Sequence, residues 1–262
     1  MSQCRLIYIS NDDKDTSESK SNSDFVCYLK ENVSVQESNY LVVKSITLPN
    51  FFYNVRSGAY GSLLQNDTFV FQELSPLTTF AVVIPQGQYL ISDYIVALQA
   101  AMNAVLVSGT VAITIDPVTQ KLRFTCTGTS ISVFSRDNGN TAYALVGAFE
   151  DFNTPNFGTQ PMPFLPDFSG VQNVYLESRE LARSHGNDPS FGLIDIVGEV
   201  NLSNTEFGQY AHYEAPETEL NTINFLNTRN IQRIDIRLVD GQGNTLPIGN
   251  GRISLTLKYY YD

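Results

Sequence analysis

The stretch Ile231-Gln-Arg-Ile-Asp-Ile-Arg-Leu decides the fold class. In an extended chain Ile234, Ile236 and Leu238 fall on one side and Arg233, Asp235 and Arg237 on the other. This period of two marks an antiparallel strand with one face in a core and one in water. The same alternation recurs at Lys121-Leu-Arg-Phe-Thr-Cys-Thr, where Leu122, Phe124 and Cys126 oppose Lys121, Arg123 and Thr125. It returns near the C-terminus, with Ile253, Leu255 and Leu257 against Ser254, Thr256 and Lys258. Tyr40-Leu-Val-Val-Lys-Ser-Ile-Thr-Leu-Pro is apolar on both faces, which predicts a central strand covered on both sides. Shorter strands are expected at Leu6–Ile9 and Phe25–Leu29, separated by a polar run, 11–24, that reads as mobile.

Turn chemistry agrees with a β fold. Asp240-Gly-Gln-Gly-Asn and Gly249-Asn-Gly supply residues that tolerate positive φ between the last two long strands. Asp116-Pro-Val-Thr-Gln joins two strands as a short hairpin loop. Regular short strands with turns between them predict an antiparallel jelly-roll β-sandwich. One segment departs from this. Ser92 is placed to cap a helix, Asp93 suits its positive end, and Ile95, Leu98, Met102, Val105 and Leu106 recur at spacings of three and four before Gly109. With the 112–127 hairpin and a strand at Ile131–Phe134, this helix forms an expected small α+β insert. The expected organisation is then 1–83 as the N-terminal part of the jelly roll, 84–150 as the insert, and 151–262 as the C-terminal part. Phe152–Phe168, with Pro155, Pro161, Pro163 and Pro166, reads as an extended segment lying across the domain or a neighbouring subunit.

Composition narrows the function. The 262 residues are 42% apolar and 16% charged, a balance that supports a large core and argues against a disordered or fibrous chain. No apolar run approaches the roughly 20 residues that span a bilayer. The opening MSQCRLIYISNDD lacks the basic and apolar regions of a signal peptide, so export by that route is not expected. With 16 Lys and Arg against 27 Asp and Glu, the net charge of −11 would repel a phosphate backbone, and no specific nucleic-acid partner is expected. Cys4, Cys27 and Cys126 are unpaired in number and spacing and read as buried small apolar residues.

Catalytic constellations are thin. His185 and His212 are the two imidazoles available as bases. His185 lies in a Gly/Asn/Asp-rich loop and reads as exposed, while His212 lies in a strand; there is no G-x-S-x-G elbow. No zinc spacing is present, and the acidic loop of Asn11, Asp12, Asp13 and Asp15 lacks the EF-hand glycine, so it reads as solvated. Glu177, Glu180, Glu214, Glu217 and Glu219 are the carboxylates open to a glycosidase pair, because sequence does not fix their separation. No catalytic residue, metal or cofactor is therefore assigned. The aromatic side chains, 14 Tyr and 16 Phe with no Trp, suit a β core and apolar contacts between subunits. Consecutive aromatics on a strand point to opposite faces, so Phe51-Phe52-Tyr53 and the terminal Tyr259-Tyr-Tyr each place one ring outside the core. Phe51, Phe52, Tyr53, Phe157, Phe164 and Tyr259 are the candidate interface residues.

Several blocks also resemble a known family. Ser23-Asp-Phe-Val-Cys-Tyr-Leu, then Tyr40-Leu-Val-Val-Lys-Ser-Ile-Thr-Leu-Pro-Asn and Tyr53-Asn-Val, are similar to the opening of the penton proteins of virophages and Polinton-like viruses. Related minor capsid proteins of large DNA viruses share it. Ile84-Pro-Gln-Gly-Gln-Tyr, the 92–107 helix, Ile115-Asp-Pro-Val-Thr-Gln-Lys-Leu-Arg-Phe, Ala144-Leu-Val-Gly and Ile234-Asp-Ile-Arg-Leu-Val-Asp-Gly-Gln-Gly-Asn continue the likeness in order. The resemblance implies a jelly roll forming homopentamers at icosahedral fivefold vertices, where it meets trimers of a double-jelly-roll major capsid protein. It implies no catalytic residues and a virion location after assembly inside the host cell. Other minor capsid proteins and a host-surface receptor are further implied partners. Two other readings stay open on the residues alone: a carbohydrate-binding β-sandwich used for attachment, and a glycoside hydrolase on the same scaffold. So does a minor capsid role away from the vertex.

Overall fold

Three strands open the chain: β1 (Gln3–Ser10), β2 (Asp24–Val35) and β3 (Tyr40–Pro49). A middle group follows, with β4 (Thr68–Leu74), β5 (Leu77–Val83), helix α1 (Ile91–Val105), β6 (Thr110–Ile115), β7 (Leu122–Thr127), β8 (Ile131–Val133), helix α2 (Tyr143–Val146), β9 (Thr154–Asn156) and β10 (Thr159–Pro161). The closing group is β11 (Asn173–Glu177), helix α3 (Arg179–Ala182), β12 (Ile196–Asn201), β13 (Tyr210–Glu214), β14 (Thr222–Asn224), β15 (Arg229–Val239) and β16 (Ser254–Tyr261). This description comes from a computed structural model and covers residues 3–35, 39–58, 65–156, 159–182, 195–216, 222–224 and 229–261. The chain forms two compact units, Met1–Phe52 with Val171–Asp262, and Tyr53–Gly170.

The first unit is two antiparallel sheets. One runs β1-β16-β3, with β13 and β14 lying end to end along the free side of β3. The other runs β12-β11-β15-β2. Counting β13 and β14 as one interrupted strand leaves eight among the described residues. The first pairs with the eighth, the second with the seventh, the third with the sixth and the fourth with the fifth. Rolling up one long hairpin produces this nesting, and it is the jelly-roll topology expected from the alternating strands. Ile234, Ile236 and Leu238 on β15, and Leu255 and Leu257 on β16, are buried as their period of two requires.

Strand β3 shows how a strand can be apolar on consecutive residues. Leu41 and Val43 are buried, then Ile46 and Leu48, so the inward phase changes from odd to even positions. The register against β16 shifts at the same place: Leu257 opposes Val43 and Thr256 opposes Ser45, leaving Lys44 unopposed. An extra residue in one strand is a β-bulge, and it turns the following side chains over. On β12, a Cβ at Gly198 would sit 2.8 Å from Ile46 Cδ1, so the two sheets meet closely there.

The 11–24 run is held, not mobile. Asn11 is buried; its amide donates to Gly251 O at 2.8 Å, and its Oδ1 accepts from Ile253 N at 3.0 Å. Asp15 N donates to Val26 O at 2.7 Å, and the Asp15 carboxylate accepts from the backbone of Ser17 and Glu18. Short polar side chains that satisfy neighbouring backbone groups make an ordered loop from a sequence that reads as solvated.

The second unit holds sheets β5-β4-β8-β9 and β10-β7-β6, with α1 packed against β5 and β6. Phe69, Phe71, Phe124, Tyr94, Leu98 and Met102 are fully buried in its core. The helix differs in detail from expectation. Leu90 is its N-cap, with no side-chain cap bond, and Ser92 lies inside the first turn. Leu106 is already extended, so Val105 is partly exposed at the helix end and Tyr94 completes the inward face instead. The unit spans 53–170, wider than an 84–150 insert, because β4 and β5 complete the sheet that contains β8 and β9.

The proline-rich stretch lies across its own unit. Met162 N donates to Leu122 O at 2.7 Å, Phe164 N to Gly147 O at 3.0 Å and Asp167 N to Ala144 O at 2.9 Å. Phe168 meets Tyr94 edge to face, with ring centroids 5.1 Å apart. Prolines suit such a strap because their fixed φ keeps it extended while neighbouring residues make the hydrogen bonds.

One buried carboxylate organises this unit. Glu73 shares the inward phase of Phe69 and Phe71 on β4 and is fully buried. It accepts from Val107 N at 3.0 Å, Ser108 N at 2.9 Å, Ser108 Oγ at 2.8 Å and Thr129 Oγ1 at 2.9 Å. It thus ties the α1–β6 and β7–β8 connections to the sheet.

Candidate interaction surfaces

The candidate aromatic residues separate by burial. Phe52 is 3% exposed, while Phe51 and Tyr53 on either side are half-buried. Phe51 meets Tyr210 edge to face at 6.2 Å, and Tyr210 is itself half exposed. Phe164 is 52% exposed and sits with Phe149 and the equally exposed Phe152 in one ring cluster, at centroid separations of 5.2 and 3.7 Å from Phe149. Phe157 lies outside the described residues.

Tyr259 is buried. Its hydroxyl donates to Ser34 O at 2.6 Å on β2 and accepts from the Asn39 amide, joining the two sheets of the jelly roll. Burial pushes its phenol up, with the Asn39 bond pulling the other way. Tyr259 and Phe52 are thus buried, where the sequence led to an expectation of rings at an interface. Tyr259→Phe should remove both bonds and lower stability by about 1–2 kcal/mol, read as a lower midpoint in urea with an unchanged slope. Beside it, Arg5, Asn32, Ser34, Asn39 and Tyr261 line a polar cleft of about 280 Å³.

Among the described residues, the side chains that are candidates for chemistry have partners within the protein. His212 is exposed on β13, with Nδ1 2.8 Å from Thr47 Oγ1; His185 lies outside the described residues. Glu177 pairs with Arg237 at 2.8 Å, and burial raises its carboxyl while Arg237 draws it back. Glu214 pairs with Lys44 at 3.0 Å, and the hydrogen bond from Lys44 lowers its carboxyl. Glu180 lies 3.5 Å from Arg233; Glu217 and Glu219 lie outside the described residues. In the acidic loop, the Asn11 and Asp15 oxygens face protein donors, and Asp12 pairs with Arg252 at 2.8 Å. Among the described residues, no three His, Cys, Asp or Glu side chains gather as a metal site.

The cysteines are not uniformly buried. Cys4 is exposed, Cys126 is half-buried, and only Cys27 is fully inside. Burial, followed by the Asp13 charge, pushes the Cys27 thiol up to about 11. A thiol so raised is a poor nucleophile at neutral pH.

Among the described residues the chain forms an eight-strand jelly roll, with a second α+β unit inserted in sequence between its third and fourth strands. No protein-family model matches the sequence, and no curated protein matches it significantly. Among solved structures, the crystal structure of the mavirus penton protein matches over 98% of this chain and 99% of that one, with 12% identity and a TM-score of 0.55. The two proteins share a fold. A structure of the Sputnik virophage from cryo-electron microscopy matches over 98% of this chain and 97% of that one, with 12% identity and a TM-score of 0.49.

Leu77 and Val83, which are not among the candidates read from the sequence, are more than half exposed, as are Phe152 and Leu165 within the Phe152–Phe168 stretch. The signal available for the first two was the apolar alternation of Leu77, Ala81 and Val83 in a strand with no charged residue.

Proposed function

We propose that this chain is a structural capsid protein, a penton that closes into a homopentamer at the fivefold vertices of a virion. The observation that carries this reading is the fold shared with the mavirus penton protein over nearly the full length of both chains. A jelly roll is a rigid wall unit, and a five-membered ring is built from heterologous contacts between two different faces. Its loops would engage trimers of a double-jelly-roll major capsid protein, and the net charge of −11 limits non-specific nucleic-acid binding. The role is assembly, not catalysis. Phe51, Tyr53 and Phe164 remain candidates for contacts between subunits.

Light scattering on the purified chain, with negative-stain images of the same fraction, tests the reading. The expected result is a species of five times 29.1 kDa that images as fivefold rings. A stable trimer overturns the vertex role. Saturable glycan binding by a chain that forms no ring would replace it with the attachment-protein alternative.

A further inference from the structure

At the end of the jelly-roll unit where β1 begins and β16 finishes, residues of both sheets line the polar cleft of about 280 Å³. Arg5 comes from β1, Asn32 and Ser34 from β2, Asn39 from just before β3, and Tyr259 and Tyr261 from β16. Deeper in the sandwich the paired positions are apolar: Ile9 opposes Leu255 and Ile7 opposes Leu257, and all four are buried. Two residues further along the same phase, Arg5 opposes Tyr259. The core therefore gives way to a guanidinium and phenols at its mouth. Small-molecule sites favour the mouths of β-barrels, a comparable position.

The parts of this cleft are held in place by the protein itself. Ser34 O and the Asn39 amide fix the Tyr259 hydroxyl. The Tyr261 ring lies nearly parallel to that of Tyr259, at 21° with centroids 5.3 Å apart. Arg5 Nη2 donates to Glu31 at 2.9 Å, and a guanidinium has further donors beyond that bond. Asn32 and Ser34 are exposed and bring an amide and a hydroxyl. Groups ordered in advance lower the entropic cost of binding a ligand.

We propose that this cleft binds one neutral sugar ring, a hexopyranose at the end of a glycan. The lining selects this ligand. Pyranose hydroxyls both donate and accept, as amides, a serine hydroxyl and a phenol require, and the C–H face of the sugar suits the Tyr261 ring. The cleft is smaller than the roughly 300–1,000 Å³ that hold a drug-sized ligand, so it fits a single ring and not a longer segment. An anion would find one guanidinium already paired with Glu31, no lysine in the lining, and a chain of net charge −11. An apolar group would leave the polar lining without partners. Every lining residue belongs to the jelly-roll unit, so the inference does not rest on the vertex reading and adds glycan recognition to it.

Saturation-transfer NMR on the full chain tests this, with the methyl glycosides of glucose, galactose, mannose and N-acetylglucosamine each in turn. At least one is expected to bind saturably, with a Kd of about 1 mM for a ligand of this size. Arg5→Ala and Tyr261→Ala, each checked for folding by circular dichroism, are expected to weaken that binding about tenfold or more. Asn32→Ala, at an exposed position, takes the place of Tyr261→Ala if that variant does not fold. Tyr8→Ala, exposed on the same strand as Arg5 and outside the cleft, should leave binding unchanged. The inference is overturned if none of the four sugars saturates, if binding survives in either folded cleft variant, or if Tyr8→Ala weakens it equally. Binding of methyl glucuronide or inorganic phosphate in place of the neutral sugars overturns it too. Rings without sugar binding sink the inference and leave the penton reading standing. Sugar binding at this cleft by a chain that forms no ring supports the inference and overturns the penton reading.

Discussion

Replacing Glu73 by Ala is expected to cost the inserted unit about 3 kcal/mol or more, because the buried donors of Val107, Ser108 and Thr129 lose their acceptor together. In thermal melting this corresponds to a fall of roughly 6–12 °C in the transition involving that unit. Glu73→Gln should cost less, about 1–2 kcal/mol. Three of the donors converge on Oε1, so a glutamine oriented with its oxygen there keeps them and sets its amide only against Val107 N. The pH dependence separates charge from shape. Burial pushes the Glu73 carboxyl up, but the backbone and hydroxyl donors outweigh it and hold the group below the usual glutamate value of 4.5. The unfolded chain therefore takes up this proton first as the pH falls, and the stabilisation by the carboxylate is full above about pH 5 and lost through pH 4 and below. The gap between wild type and Glu73→Gln in urea midpoint should narrow over that window. A gap constant from pH 7 to pH 3 would show that the charge contributes nothing.

Glu73 also marks where sequence reading reaches its limit. In Thr-Phe-Val-Phe-Gln-Glu-Leu the period of two places Phe69, Phe71 and Glu73 on one face, so the carboxylate was visibly in the core phase. Its donors come from connections more than thirty residues away, and nothing local announces them. The strands that read clearly, β7, β15 and β16, have one buried face and one wet face, and their polar residues expose the pattern. β3 read correctly as a central strand, but its phase change at Lys44 is a pairing property that appears only against β16. The nested order of eight strands is likewise a property of distant partners. In the helix, Val105 fitted the spacing and Tyr94 did not draw attention, because the residue that completes an inward face depends on where the helix stops. The aromatic candidates show the same boundary. Phe51–Tyr53 lie in an irregular segment after β3, so strand alternation is not what sets their burial, and the burial of Tyr259 depends on Ser34 of another sheet.

The inserted unit offers a second large effect, set by a single hydrogen atom. Gly147 ends α2 in the left-handed region at φ +72°, and its N–H donates back to Ala144 O at 3.2 Å. The proline-rich strap crosses directly above: a Cβ at Gly147 would lie 2.2 Å from Phe164 O and 2.8 Å from its carbonyl carbon. Gly139 also has positive φ, at +91°, but a Cβ there would meet nothing within 4 Å. The two glycines therefore separate backbone preference from steric exclusion. Gly139→Ala should cost only the left-handed penalty, about 1–2 kcal/mol. Gly147→Ala carries the same penalty and must also displace the strap, breaking the Phe164 N to Gly147 O bond, so a loss of about 3 kcal/mol or more is expected. The strap carries Phe164 and Leu165, so displacement should reach assembly as well as stability. Gly147→Ala is expected to assemble poorly at temperatures where it remains folded, while Gly139→Ala assembles as wild type. Equal effects from the two substitutions would mean that the strap yields freely and that its seating on Gly147 does not position the exposed rings.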